Sequence, residues 1–175
     1  MIETVVLVDE KNNSIGTAPK ESVHTTNTPL HRGFSCFIFN DKKELLLTKR
    51  ASTKKTFPGV WTNTVCGHPG EGESAVEAAK RRLEHELGLL VSDVEEIAPY
   101  QYRFSDSNGI VENEICPILV GHTNNNPVPH DHEVDAWKWV AWKEFLEDVK
   151  KNPDIYSPWC REEALILLQK DPELQ

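Results

Sequence analysis

The sequence predicts an α/β protein in which a mixed β-sheet packs between α-helices. Three observations carry that expectation. Short β-rich runs recur between residues 3 and 142 and are bounded by turn-forming residues. Segment 74–87 repeats its apolar residues at helical spacing between a start and a stop signal. Two more helical stretches close the chain, and strands interspersed with helices bury their apolar faces against one another.

"ETVVLVDEKNNSIGTA" reads as two short strands around a Lys11-Asn12-Asn13 turn. Residues 18–33 contain Pro and His without a period and read as a loop. "FSCFIFNDKKELLLTKR" reads as a hairpin across Asn40-Asp41. The helix at 74–87 opens on Ser74 and Glu77, a capping-box pair, and stops at Gly88. Val76, Ala79, Leu83 and Leu87 form its apolar stripe. Glu86 falls on the edge of that stripe and Arg81 nearly opposite, so Glu86 needs a cationic partner. Strands are expected at 97–105, 110–121 and 134–142, with a loop at 121–135. "WKEFLEDVKKN" and "PWCREEALILLQK" supply the closing helices, with Pro158 near the start of the second.

At 175 residues the chain is expected to be one domain over 1–175, and a monomer. Lys and Arg number 19 and Asp and Glu 28, so the net charge of −9 argues against a nucleic-acid partner. No apolar run approaches the roughly 18 residues of a membrane span, so no membrane partner is expected. The start, "MIETVVLVDE", lacks the pattern of a signal peptide, and a cytoplasmic location is expected. Cys36, Cys66, Cys116 and Cys160 form no C-x-x-C pair and are expected to be reduced. Segment 42–55 holds six Lys or Arg and one Glu. Either a solvated strand surface or a local anion site accounts for it.

Glu112 and Glu114 flank Asn113 in a strand, so alternation puts both carboxylates on one face. They repel unless a cation joins them; otherwise they simply face solvent. His130-Asp131-His132-Glu133 lies in a polar loop and is expected to be solvated. Cys66 and His68 alternate like strand neighbours beside a Gly-rich turn. His24, His31 and His68 with the two glutamates have the chemistry of a six-coordinate divalent site, although spacing alone leaves their convergence open.

Gly67, Glu73, Arg81, Leu83, Glu86, Gly88 and Leu89 stand in the register of the Nudix box, G-x5-E-x7-R-E-U-x-E-E-x-G-U, over 67–89. The segment resembles that box with two departures. Arg82 and His85 replace glutamates that in Nudix hydrolases help to hold Mg²⁺, which argues against diphosphate hydrolysis.

"HTTNTPLHRGFS", "TNTVCGHP", "ENEICP" and "SPWCREE" span residues 24–163. In that order they resemble the type I isopentenyl-diphosphate isomerases, Nudix-fold enzymes of isoprenoid synthesis. The resemblance implies that His24, His31, His68, Glu112 and Glu114 hold one divalent ion, Mn²⁺, Zn²⁺ or Mg²⁺. It implies Mg²⁺ brought in with the diphosphate and held by Glu86 and the Cys66 main-chain carbonyl. Lys20, Arg50, Lys54 and Arg82 would contact the phosphates of a prenyl diphosphate. Cys66 and Glu114, assisted by Tyr102, would move the protons, and Trp159 would face the carbocation. A Nudix diphosphohydrolase is the alternative, and a non-catalytic phospholigand-binding Nudix module ranks third.

Overall fold

The computed structural model describes residues 3–171 and Leu174. The strands are β1 (Thr4–Val8), β2 (Ser14–Pro19), β3 (His31–Arg32), β4 (Phe34–Phe39), β5 (Glu44–Arg50) and β6 (Trp61–Thr62). After them come β7 (Val65–Gly67), β8 (Glu95–Ala98), β9 (Gln101–Ser105), β10 (Val111–Ile115), β11 (Ile118–His122) and β12 (Val134–Ala141). The helices are α1 (Lys20–Val23), α2 (Ala75–Leu87), α3 (Trp142–Lys151) and α4 (Pro158–Lys170).

The expected α/β architecture holds, with two sheets rather than one. The first runs β2-β1-β3-β10-β9. The second runs β12-β5-β4-β11-β8, with β6 on β5 and β7 on β4. Both contain parallel pairs, β3 with β10 and β4 with β11, so each is mixed.

The second sheet is covered on both faces. All six residues of β4 are buried, and alternation sends Phe34, Cys36 and Ile38 one way and Phe37 and Phe39 the other. The first set meets Ala78, Ala79, Leu83 and Leu87 of α2; the second meets Phe145, Trp159 and Leu167 of α3 and α4. The α2 boundaries follow the sequence expectation. Ser74 accepts from the Glu77 amide at 3.2 Å, Glu77 accepts from the Ser74 amide at 2.9 Å, and Gly88 ends the helix at φ 62°. Ser74→Ala is expected to cost about 1 kcal/mol, read as a Tm lower by about 2–4 °C.

Two expected strands are each broken in two. Segment 97–105 leaves the second sheet for the first at Pro99-Tyr100, and 110–121 returns at Cys116-Pro117. A proline has no amide to give a ladder, so each switch falls at or beside one. The chain makes a third crossing at Gly33, between β3 and β4. Gly33 N donates to Ile115 O at 2.9 Å, and Cys116 N to Tyr100 O at 2.8 Å, which ties the crossings together.

Two other expectations are corrected. Residues 18–33 are not all loop, because β2 runs to Pro19 and α1 and β3 lie inside the segment. A two-residue strand is too short to show alternation. The hairpin of β4 and β5 pairs only at its turn, Phe39 with Leu45, because β7 and β11 take the rest of β4.

Candidate active site

The crossings set one end of each sheet against the other, and the chemistry gathers at that seam. Strand register does the first part of the work. Glu114 of β10 lies between His31 of β3 and Tyr102 of β9, with Glu112 two residues away on the same face. His24 follows α1 directly, and His68 follows β7. Five groups from four elements and their flanks therefore meet.

Their ligand atoms all lie within 4.8 Å of one another. His24 Nε2 is 3.1 Å from Glu112 Oε2, His31 Nε2 3.4 Å from Glu114 Oε1, and His68 Nε2 3.0 Å from the same oxygen. The ring centroids are 5.1–5.4 Å apart. His31 Nδ1 sits 2.9 Å from Pro29 O, which fixes the ring and turns Nε2 inward. Among the described residues, the buried atoms His24 Nε2, His31 Nε2 and Glu112 Oε2 have no hydrogen-bond partner. Such a donor set, buried and short of partners, fits a divalent ion.

Burial pushes the Glu114 carboxyl up, but the neighbouring His31 and His68 rings win and hold it well below the usual carboxylate range. His31 is raised, because Glu114 outweighs its burial. His68 is lowered, since burial and the neighbouring His31 and Lys20 charges outweigh the same Glu114. The two rings share one ionised carboxylate, yet their proton affinities move in opposite directions.

Supporting groups complete the centre. Thr56 donates a hydrogen bond to Glu112, and Tyr102 Oη donates to Glu114 Oε2 at 3.0 Å. Gly33 is a close approach: a Cβ there would lie 1.9 Å from Glu114 Oε2. Gly33→Ala is expected to displace Glu114 and weaken ion binding by about 10- to 100-fold, measured as metal content after dialysis.

Cys66 stands beside the centre in a cleft of about 280 Å³. The cleft is also lined by His68, Glu112, Glu114, Tyr102 and Trp159, and by Lys20, Arg50, Lys54 and Arg82. Burial pushes the Cys66 thiol up to about 12, so it stays protonated at neutral pH. The thiol donates to Asn63 Oδ1 at 3.1 Å. Trp159 is 2 % exposed, stacked on Tyr102 at 5.7 Å and met edge-on by Phe57 at 5.0 Å.

Of the basic segment, Arg50, Lys54 and Lys55 reach the cleft. Arg50 donates to the Thr56 and Phe57 carbonyls and lies 5.6 Å from the Trp159 ring centre. Arg82 supplies the cation that Glu86 needed: its Nε donates to Glu86 Oε1 at 2.7 Å. Glu86 itself does not line the cleft wall; Arg82 stands between. Arg81 grips Glu73 with two bonds of 2.7 Å and reaches the His68 carbonyl at 3.3 Å, so this box pair steadies the loop that carries His68.

His130 and His132 are exposed, as expected, and His85 stacks on His130 away from the cleft. Glu133, from the same run, was misjudged: it is half-buried and pairs with Lys54 and Arg82, two cations that line the cleft. Sequence reasoning also passed over Thr56, Asn63, Gly33 and Glu3. A second cavity of about 300 Å³, lined by Arg32, Pro69 and Tyr100 among others, contains none of the centre's histidines.

A NUDIX domain family profile matches residues 29–160. The isopentenyl-diphosphate Delta-isomerase of Saccharopolyspora erythraea is 45% identical over 169 residues, covering 96% of this chain and 87% of that protein. The protein of the same name from Agromyces mediolanus is 48% identical, with coverages of 94% and 81%. A Deinococcus radiodurans crystal structure shares the fold at a TM-score of 0.75 and 16% identity, covering 94% of this chain and 98% of the other.

Proposed function

The chain belongs to the isopentenyl-diphosphate Delta-isomerase family of NUDIX-domain proteins, and we propose that the cleft at its sheet seam is where the double bond is moved. The enzyme turns isopentenyl diphosphate into dimethylallyl diphosphate. One observation carries the site assignment. A thiol held protonated and a carboxylate held ionised share the cleft, and the two box positions at which a hydrolase would keep glutamates are Arg82 and His85.

The reaction adds one proton at the terminal alkene carbon and removes another from the carbon next to the C–O bond. The protonation states support Cys66 as the donor of the first proton. Its S–H bond breaks, a C–H bond forms at the terminal carbon, and the positive charge falls on the tertiary carbon. Glu114 then takes the proton from the other carbon, whose C–H electron pair becomes the new double bond. Tyr102, donating to Glu114 Oε2, positions that carboxylate. Trp159, which lines the cleft, is the proposed aromatic partner of the cation, worth about 2 kcal/mol when desolvated. Closure of the wall by Trp159, Phe57 and Tyr102 keeps water from capturing the cation.

The His24, His31, His68, Glu112 and Glu114 centre fits a divalent ion, and we assign it Mn²⁺, Zn²⁺ or Mg²⁺. Glu86 and the Cys66 main-chain carbonyl are the proposed holders of Mg²⁺ accompanying the diphosphate. Such ions supply positive charge, which tunes the proton affinity of Glu114 and offsets the phosphates. Lys20, Arg50, Lys54 and Arg82 are the proposed phosphate contacts, a reading supported by their shared place in the lining of the cleft.

No described helix is long and apolar enough to cross a membrane. The proposal extends to one domain over the whole chain, acting as a cytoplasmic monomer on a small molecule. Its net charge of −9 supports the absence of a nucleic-acid partner. Activity separates the readings. Incubation of isopentenyl diphosphate with enzyme and Mg²⁺ is expected to yield acid-labile allylic diphosphate without phosphate release. Phosphate release without allylic product would mark a hydrolase.

A further inference from the structure

Three of the four cations assigned to the diphosphate are already satisfied by carboxylates of the chain. Lys20 pairs with Glu3 at 3.0 Å, Lys54 with Glu133, and Arg82 with Glu86 at 2.6 Å and Glu133 at 3.2 Å. Only Arg50 meets neutral oxygens instead, those of Thr56 and Phe57. A diphosphate can therefore reach these cations only by competing with carboxylates.

We propose that Glu133 is a stand-in anion for the diphosphate, and that its charge makes the site select metal-complexed diphosphate over the bare anion. This rests on the reading of Lys20, Arg50, Lys54 and Arg82 as the phosphate contacts.

Glu133 is held in place by its main chain. Its amide donates to His130 O at 2.9 Å and its carbonyl accepts from Ala51 N at 3.1 Å. The next residue, Val134, pairs with Arg50 in the β12–β5 ladder. The carboxylate is thus fixed to the segment that carries Arg50 and Lys54. Its side chain can turn aside when a phosphate arrives, but its charge cannot leave the site. Glu3 also lines the cleft but is nearly half exposed, so solvent screens its charge more.

Charge then decides what is admitted. Lys20, Arg50, Lys54 and Arg82 set against Glu3, Glu86 and Glu133 leave one positive charge in excess, with Lys55 offset by Glu21 and with Glu112 and Glu114 offset by the proposed ion of their own centre. A trianionic diphosphate would turn that into two negative charges in a partly buried site, where repulsion is weakly screened. One divalent ion carried with the diphosphate restores neutrality. Without Glu133, the bare anion would leave a smaller excess and the requirement for the ion would relax.

Glu133→Gln keeps the shape of the side chain and removes the charge. By isothermal titration calorimetry with inorganic pyrophosphate in Mg²⁺-free buffer, it is expected to bind at least about tenfold tighter than the unmodified protein. With Mg²⁺ in excess the gain is expected to fall below about threefold. Glu133→Ala makes the same comparison independently, and a circular dichroism melt reports whether each variant is folded. Lys20→Ala, measured alongside, is expected to weaken pyrophosphate binding. If Lys20→Ala leaves binding unchanged, the phosphate-site reading fails and this inference fails with it. If Lys20→Ala weakens binding but neither Glu133 variant gains, or the gain is equal with and without Mg²⁺, the inference about Glu133 alone is overturned.

Discussion

Cys66→Ala is expected to lower turnover by about 10³-fold or more while leaving the fold and the bound ion in place. An unactivated alkene is a poor base, and a positioned acid contributes about 10²–10⁴-fold to such a transfer. Burial keeps the Cys66 thiol protonated, and its hydrogen bond to Asn63 Oδ1 fixes the sulfur's direction. Ser35 Oγ, 3.8 Å from the sulfur, is the only other polar side chain bonded to it among the described residues. Neither Asn63 nor Ser35 is an acid able to replace the thiol. Cys66→Ser keeps a donor of similar size but a weaker acid, and is expected to lose nearly as much. Metal analysis sharpens the result. The thiol is not among the five converging ligand groups, so ion content should stay constant in both variants. Loss of the ion in Cys66→Ala would make the sulfur a ligand and remove it from proton transfer.

Glu114→Gln is the second large effect, expected to lose both activity and ion. One carboxylate serves His31, His68 and Tyr102 at 3.4, 3.0 and 3.0 Å. The amide cannot accept a proton from substrate and offers one neutral oxygen where two charged ones stood. Turnover is expected to fall by at least about 10³-fold, and ion affinity by more than the 10- to 100-fold typical of a supporting residue. Steady-state assays and elemental analysis of the dialysed protein measure the two losses separately. Glu112→Gln removes a ligand without touching Tyr102. Its defect should be partly rescued by added ion, whereas that of Glu114→Gln should not. Equal rescue of both would deny Glu114 its part in proton transfer.

Local signals in the sequence were reliable where the physics is local. The capping box and the Gly88 stop set α2 within a residue, and strand alternation put Glu112 and Glu114 on one face. The stripe argument that Glu86 needs a cation was answered one turn away by Arg82. The convergence of His24, His31 and His68 was legible only through resemblance. These residues come from one helix end, one two-residue strand and one strand end, and no spacing rule joins them. The sheet crossings were hidden because each broken strand stays β-rich on both sides of its proline. Glu133 was hidden for a different reason. Its partners Lys54 and Arg82 lie 79 and 51 positions away, and its neighbours His130, Asp131 and His132 are exposed. Gly33 carries no side-chain signal at all; only the 1.9 Å approach of Glu114 explains it.

The same seam explains why a Nudix box serves this chemistry. Glu73 and Arg81 keep a structural task, holding the loop of His68 beside Cys66. Arg82 turns a position that would bind metal into a cation facing the cleft mouth. The scaffold is retained while the charge of the site is rearranged toward binding a diphosphate without breaking it.

The most direct test of this account is NMR of isopentenyl diphosphate incubated with the enzyme and Mg²⁺ in D₂O. The account predicts dimethylallyl diphosphate carrying solvent deuterium in a methyl group, with deuterium also entering recovered isopentenyl diphosphate as the reaction reverses, and neither product formed by Cys66→Ala. Dimethylallyl diphosphate free of deuterium, or full incorporation by Cys66→Ala, would contradict proton addition from Cys66 across this cleft.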